Sequence, residues 1–262
     1  MSVRVDPSAV PSALVDLSRR LGARSRDLVV LAEGNTSTVL ADGTIAVKRS
    51  GARMDGARPE DFALVEPAPL VALLDDPAST QEALDEALTS VAGPAGARAS
   101  LETLVHVAAV VHGGARWVAH THPSPVVGLL CTPGAASLWA APLFPDEMVV
   151  LGTPAWVAYH EPGLALGRAV ADVLRAPRGG APAPRLLLLA NHGIVALGES
   201  AAAVEAVTDM CVKAARVRAV ALAAGGIEPL DVAHAATLAD RPDEAHRRRD
   251  LFGASPGTAA GA

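Results

Sequence analysis

The segment Ala115–Pro123 constrains this chain more than any other. Trp117, Val118 and Ala119 read as the end of a buried strand, and Pro123 removes a backbone donor that a sheet ladder would need. Side chains alternate along a strand, so His120 and His122 leave the same face. Two imidazoles on one face at a strand's end can hold a divalent metal ion, if the rest of the chain supplies a third ligand, a carboxylate and a substrate pocket.

The chain is long enough to do so. Its 262 residues are 50% hydrophobic and 19% charged, which suits one large domain or two small ones. The net charge is −6 and no basic stretch interleaves with aromatic residues, which argues against a nucleic-acid partner. The run Arg247–Arg249 reads as a solvated helix end. Cys131 and Cys211 lie far apart without C-x-x-C spacing, so free thiols in a reducing cytoplasm are expected. Residues 1–22 lack the apolar stretch of a signal peptide, and the longest apolar burst, Leu186 to Ala190, is too short to span a bilayer. A soluble cytoplasmic protein with no membrane partner is expected.

Apolar spacing predicts a first helix over 11–22, with Pro11 near its start and Gly22 at its end. Two β-rich runs around Asp42-Gly43 predict a hairpin. The turn Gly34-Asn35-Thr36-Ser37 precedes it and the turn Lys48-Arg49-Ser50-Gly51 follows. A strand is expected at Phe62–Val65, then helices over Pro67–Leu74 and Thr80–Val91, and a flexible connection over 93–99. Ser100 reads as the N-cap of a helix carrying Leu101, Leu104, Val105, Ala108 and Val111 at helical spacing. Gly113-Gly114 ends that helix and leads into the His120 strand. A short helix to Leu130 should follow Pro123, then strands at Glu147–Leu151 and Ala155–Ala158, and a helix over Pro162–Arg175. Beyond an exposed loop at 176–184, Arg185–Ala190 reads as a buried strand and Ile194–Leu197 as another. Ser200 caps a long helix ending near Ala224-Gly225. The reading gives one domain over 1–254 and a disordered tail over 255–262.

The polar residues gather at strand ends. His192 follows the Arg185–Ala190 strand as His120 and His122 end theirs, so neighbouring strands would let three imidazoles converge. Glu102, in the first turn of the preceding helix, can then act as a fourth ligand or a general base. An acid there is also favoured by the helix dipole alone. The turns at 34–37 and 48–51 read either as anion cradles or as ordinary hairpin-end loops, and Lys48 is placed to neutralise an anion. His106 reads as a buttress of the site or as a buried, backbone-bonded residue. His112 lies farther along the same helix. His160, His234 and His246 read as surface residues, and Asp146 and Glu147 as solvated acids.

Taken together, Gly34-Asn35-Thr36-Ser37, Ser50-Gly51, Ser100-x-Glu102-x-x-x-His106, His120-Thr-His122-Pro123 and Asn191-His192-Gly193 occur in one order. That order resembles the class II aldolases of the fuculose/rhamnulose phosphate type, within the wider class II aldolase/adducin family, over roughly residues 10–225. The resemblance implies an α/β fold, a three-layer α/β/α sandwich with a central, largely antiparallel sheet. It implies Zn2+ on His120, His122 and His192, with Mn2+, Co2+ or Fe2+ as other metals suited to such donors. Glu102 matches the catalytic acid/base, which also approaches the metal without substrate. Gly34, Asn35, Ser50, Gly51 and Ser100 match the substrate-phosphate pocket. The implied activity is retro-aldol cleavage of a ketose 1-phosphate or related hydroxyketone into a three-carbon ketone and an aldehyde. The metal would stabilise an enediolate and Glu102 would shuttle the proton. A homotetramer with active sites at subunit interfaces is implied as well.

The chain departs from that pattern in two places. Ala99 stands where the aldolases usually have a second hydroxyl, and the tyrosine they place after His-x-His has no counterpart. Trp139 and Phe144 occupy that stretch, and the chain's one tyrosine is Tyr159. Rival readings are a decarboxylase of a hydroxy or keto acid on the same fold, a sugar-phosphate dehydratase or epimerase, and an inactive adducin-like interaction module. The complete histidine set argues against the last.

Overall fold

The computed structural model describes residues 3–89, 91, 92, 98–231, 237 and 241. Its strands are β1 (Val3–Arg4), β2 (Asn35–Val39), β3 (Ile45–Lys48), β4 (Phe62–Val65), β5 (Val91–Ala92), β6 (Trp117–Thr121), β7 (Ala155–Val157), β8 (Leu186–Leu189) and β9 (Gly193–Gly198). They form one sheet in the order β5-β1-β4-β3-β2-β6-β9-β8-β7. Only β1–β5 and β7–β8 pair parallel among the described strands, so the sheet is largely antiparallel as expected.

The helices are α1 (Ser12–Leu21), α2 (Pro67–Asp75), α3 (Gln81–Thr89), α4 (Thr103–Val111), α5 (Ser124–Leu130), α6 (Ala135–Leu138), α7 (Pro145–Leu151), α8 (Leu164–Arg175) and α9 (Ala201–Ala223). Helices α2, α3, α4 and α8 cover one face of the sheet. The other face lies under α1, α5, α6, α7 and α9. Strand residues divide between the two cores by alternation. Leu187 and Leu189 of β8 face the α4–α8 side, and Leu186 and Leu188 face α9. Val195 and Leu197 of β9 divide from Ile194 and Ala196 in the same way. Burial on both faces is why these strands read as unbroken apolar runs.

Several expectations need correction. Glu147–Leu151 is helical, not a strand. Pro145 opens α7, Asp146 and Glu147 occupy its first turn, and the Leu143 N–H donates to Glu147 Oε2 at 2.9 Å. A short run such as Met148–Leu151 fits a buried strand and a buried helix equally, so the start signals decide. Asn35, Thr36 and Ser37 lie in β2 rather than in a turn, because β3 and β6 pair with that segment on both sides. The helix expected over Thr80–Val91 ends at Thr89, and Val91–Ala92 pairs with β1 instead. The helix expected from Pro162 begins at Leu164. Residues 93–97 of the connection, His234, His246, Arg247–Arg249 and the tail at 255–262 lie outside the described residues. Among the described residues no helix is long and apolar enough to cross a membrane. Cys131 and Cys211 are free thiols.

Glu147, expected to be solvated, is 2% exposed and pairs with Arg218 of α9 at 2.5 Å. Arg218 is itself fully buried. Its guanidinium lies 4.2 Å from the Trp139 ring centroid and donates to the carbonyls of Leu138, Ala141 and Ala214. One cation thus fastens α6 and α7 to α9. Removing one partner of a buried pair leaves an uncompensated charge. Glu147→Ala should therefore lower stability by about 3 kcal/mol, read as a lower urea midpoint at constant slope. An unchanged midpoint would contradict this role for the pair.

Candidate metal centre

Strand β6 sets the site. Within it Ala119 packs into the α9 core, and Val118 packs toward α4 and α8. By alternation His120 follows Val118 toward α4. Asn35 stands directly opposite His120 in the β2–β6 ladder, and Ser37 opposite Val118, so their side chains leave that same face. Thr121 ends the strand, and His122 follows with its backbone N–H held by the Leu28 carbonyl at 2.8 Å. His192 arrives on the turn between β8 and β9. Asn191, with φ +54°, makes the left-handed step there, which Asn tolerates better than most residues.

Gly193, next in sequence, allows the approach. A Cβ there would lie 2.5 Å from the Thr121 carbonyl oxygen and 2.6 Å from Cδ2 of His122. Gly34 plays a similar part before β2: its φ is +69° and a Cβ would fall 2.9 Å from the His120 carbonyl oxygen.

The three imidazoles converge, with ring centroids 4.7–5.0 Å apart. Nε2 of His120 and Nε2 of His122 are 2.9 Å apart. Glu102 Oε1 lies 3.1 Å from Nε2 of His120 and 3.1 Å from Nε2 of His192. Glu102 does not sit within the helix's first turn, as expected, but at the cap position before Thr103. Ser100 is correspondingly not the N-cap of α4. Its Oγ accepts the Glu102 N–H at 3.3 Å and the Asn35 Nδ2–H at 3.3 Å.

A relay of side chains fixes these groups. His106 is fully buried, and its bonds run to side chains, not to backbone. Burial, and next the His120 charge, push it down to about 3, so it is neutral. Its Nδ1 accepts from Ser37 Oγ at 2.7 Å and its Nε2–H donates to Asn35 Oδ1. With Oδ1 so engaged, the Asn35 amide turns Nδ2 toward Glu102 Oε2, 3.1 Å away.

The electrostatics follow. Burial alone pushes the Glu102 carboxyl up, but the charge and hydrogen bond of His120, then those of His192, hold it well below the usual carboxylate range. Burial disfavours a charged His120, yet Glu102 and the Ile194 carbonyl together raise it above the ordinary imidazole value. His122 is pushed down to about 4, by burial first and then by the His120 charge.

These donors fit a metal ion. The ligand atoms of Glu102, His120, His122 and His192 all lie within 4.8 Å of one another. Bonds of about 2.0–2.1 Å in tetrahedral array would set ligand atoms about 3.3 Å apart, near the 2.9–3.1 Å found between neighbours here.

The other expected residues are only partly gathered. Asn35 and Ser100 touch each other and Glu102 or its backbone. The Ser50 N–H donates to the Arg98 carbonyl at 3.3 Å, tethering the exposed Ser50–Gly51 turn to the segment entering Ser100. Lys48 is buried, and its Nζ donates to the carbonyls of Ala52 at 2.6 Å, Arg49 at 3.2 Å and Ala32 at 3.5 Å. Burial lowers its pKa to about 8, against the pull of Glu102 and Asp61. Ala99 is fully buried in the core. Tyr159 is exposed, Trp139 is engaged by Arg218, and Phe144 lies under Lys213. Sequence reasoning missed Glu33 as a contact of the site and read Ser37 as a turn donor, whereas it supports His106. Glu33 adjoins a motif already singled out, and Ser37 lies two residues from Asn35 on the same face of β2.

Residues 12–219 match the family model described as the class II aldolase and adducin N-terminal domain. The chain belongs to the class II aldolase and adducin family. Solved structures agree on the fold. YgbL of Klebsiella pneumoniae, titled a putative aldolase/epimerase/decarboxylase, is 22% identical, with 88% of this chain and 98% of that one covered at a TM-score of 0.66. An L-fuculose 1-phosphate aldolase is 16% identical, with 87% and 93% covered and a TM-score of 0.65. The L-fuculose-1-phosphate aldolase of Thermus thermophilus is 23% identical, with 84% and 97% covered and a TM-score of 0.58. No curated protein matches the chain.

Gly193→Ala tests the packing of the cluster. The added methyl should cost about 1–3 kcal/mol of stability and displace the His122 ring. Zinc affinity, measured by competition with a chromophoric chelator, should fall at least about tenfold. Wild-type affinity in this variant would show that the close approach is not needed.

Proposed function

We propose that this protein is a metal-dependent carbon–carbon lyase acting on a small hydroxyketone. The observation that carries the reading is the convergence of three imidazole nitrogens on one carboxylate, beside an amide and a hydroxyl that can grip substrate oxygens. His120, His122 and His192 would hold the ion, with Glu102 beside it; zinc suits these donors, and Mn2+, Co2+ or Fe2+ are compatible with them. When bound, the ion supplies Lewis-acid polarisation of a carbonyl oxygen.

The chain's own residues do the rest. Glu102 moves the carbon-bound proton. In cleavage the C–C bond breaks as the substrate hydroxyl gives its proton to solvent, and Glu102 in its acid form then protonates the carbon freed on the ketone fragment. In condensation its carboxylate removes that proton. Asn35 Nδ2 donates to Glu102 Oε2 and to Ser100 Oγ, and Asn35 and Ser100 would exchange those bonds for substrate oxygens. The Ser50–Gly51 turn, tied to the Arg98 carbonyl through the Ser50 N–H, would add the Gly51 N–H and the Ser50 hydroxyl as donors for a phosphate, while Gly34 lets the start of β2 pack against the His120 carbonyl. We infer a ketose 1-phosphate or related hydroxyketone as substrate, cleaved to a dihydroxyacetone phosphate-like ketone and an aldehyde. We further infer one domain over residues 1–254, a cytoplasmic location, and a homotetramer with active sites at subunit interfaces.

Ala99 favours a second reading. Its methyl is buried in the core and offers an anion no donor. A hydroxy or keto acid needs fewer donors than a phosphate, so decarboxylation with the same residues is the alternative.

Purified protein should carry close to one metal ion per chain. It should also exchange a hydroxymethyl proton of dihydroxyacetone phosphate into deuterated water, followed by NMR. His122→Ala should lose both metal and exchange while staying folded. Glu102→Gln should keep the metal and slow exchange by about 10²–10⁴-fold. A metal-free His122→Ala protein with full activity would overturn the assignment. Bound metal without exchange would turn the reading to the decarboxylase.

A further inference from the structure

Glu33 lies outside the four residues that would hold the ion, yet its carboxylate meets one of them. Its Oε2 is 3.2 Å from Nδ1 of His122, on the opposite side of the ring from the Nε2 that faces His120. We propose that Glu33 is a positioning residue of the metal centre, which accepts the Nδ1–H of His122 and so presents Nε2 of that ring as the ligand atom. The proposal rests on the metal-centre reading given above and adds a residue to it.

The loop around Glu33 is built for this contact. Glu33 Oε1 accepts the Val30 N–H, and the Glu33 N–H donates to the Val30 carbonyl at 3.3 Å. The two oxygens are thereby divided, one holding the loop and the other facing His122. Leu31, between them in sequence, takes φ +56°, a conformation that a branched side chain adopts at a cost. The loop is in turn fastened beside His122. The Leu28 carbonyl accepts the His122 N–H at 2.8 Å, the Asp27 carbonyl accepts the Ser124 N–H at 3.4 Å, and Asp27 Oδ1 accepts the Ser124 hydroxyl at 2.9 Å. Backbone on both sides therefore fixes the Glu33–His122 pair.

His120 offers a comparison within the same site. Its Nδ1–H donates to the Ile194 carbonyl at 2.8 Å, which also leaves Nε2 for the centre. One ring is thus held by a neutral carbonyl and its neighbour by a carboxylate. A carboxylate accepting from the distal nitrogen makes an imidazole the more basic ligand and fixes its tautomer. His122 follows the last strand residue, Thr121, so its ring lacks the ladder that steadies His120. Glu33 supplies that restraint.

The test is metal affinity, not turnover. Zn2+ and Co2+ dissociation constants would be measured by chelator competition for wild type, Glu33→Ala, Glu33→Gln and His122→Ala. Glu33→Ala should weaken binding by about 10–100-fold. Glu33→Gln keeps a hydrogen-bond acceptor but not the charge, so it should recover part of that loss. Its Co2+ complex should show visible bands shifted from those of wild type. The metal-free variants should melt with wild type. If wild type binds metal and both Glu33 variants bind it equally well, the role of Glu33 is overturned while the centre stands. The role is also overturned if Glu33→Ala weakens binding only in step with a lower melting temperature of the metal-free protein. Failure of wild type itself to bind would instead sink the metal-centre reading.

Discussion

Glu102 is the group on which the arrangement of this protein turns. A carboxylate with only 14% of its side chain exposed must find compensation, since an unpaired buried charge costs several kcal/mol or is neutralised. Compensation here comes from His120, His192 and the Asn35 amide, drawn from three separate stretches of chain. Two of those partners are held by something further inside. His120 is tied to the Ile194 carbonyl, and Asn35 to His106, which leans on Ser37. The carboxylate favours positive charge at the middle of the cluster. A divalent cation suits that place.

The sheet makes this convergence inexpensive. Strand β6 lies between β2 and β9, so residues distant in sequence meet through ladder hydrogen bonds that the fold needs anyway. Helix α4 begins on the same face, and its cap residue meets the strand-borne imidazoles. The two hydrophobic cores hold both layers in place without contributing to the chemistry.

Much of this was legible in the residues themselves. The hairpin at Asp42-Gly43, the Ser200 cap and the helices after Pro67 and Pro123 rest on local signals, and those signals act locally in the structure too. The gathering of His120, His122 and His192 was readable because three polar residues stand where apolar strands end. Where local signals tie, tertiary partners decide. Glu147 reads as a surface acid until Arg218, seventy-one positions on, is known to lie buried beside it. Asn35–Ser37 looks like a turn because small polar residues favour turns, but its hydroxyls and amide find buried partners that make a strand tolerable. Glu33 was silent for a similar reason: nothing in the order of residues says that a loop folds back to meet a histidine eighty-nine positions later.

The opposed faces of β6 carry a consequence for how this chain can vary. Ala119 serves one core and His120 the other face, so the strand carries two messages in alternate letters. Deleting or inserting one residue between Trp117 and Thr121 would exchange them, turning imidazole toward α9 and methyl toward Glu102. Substitutions there can be graded, but changes of length cannot. The exposed stretch at 176–184, which belongs to neither core, has no such reading frame to protect. Drift in the length of this protein is therefore channelled away from its chemistry by the pleat of a single strand.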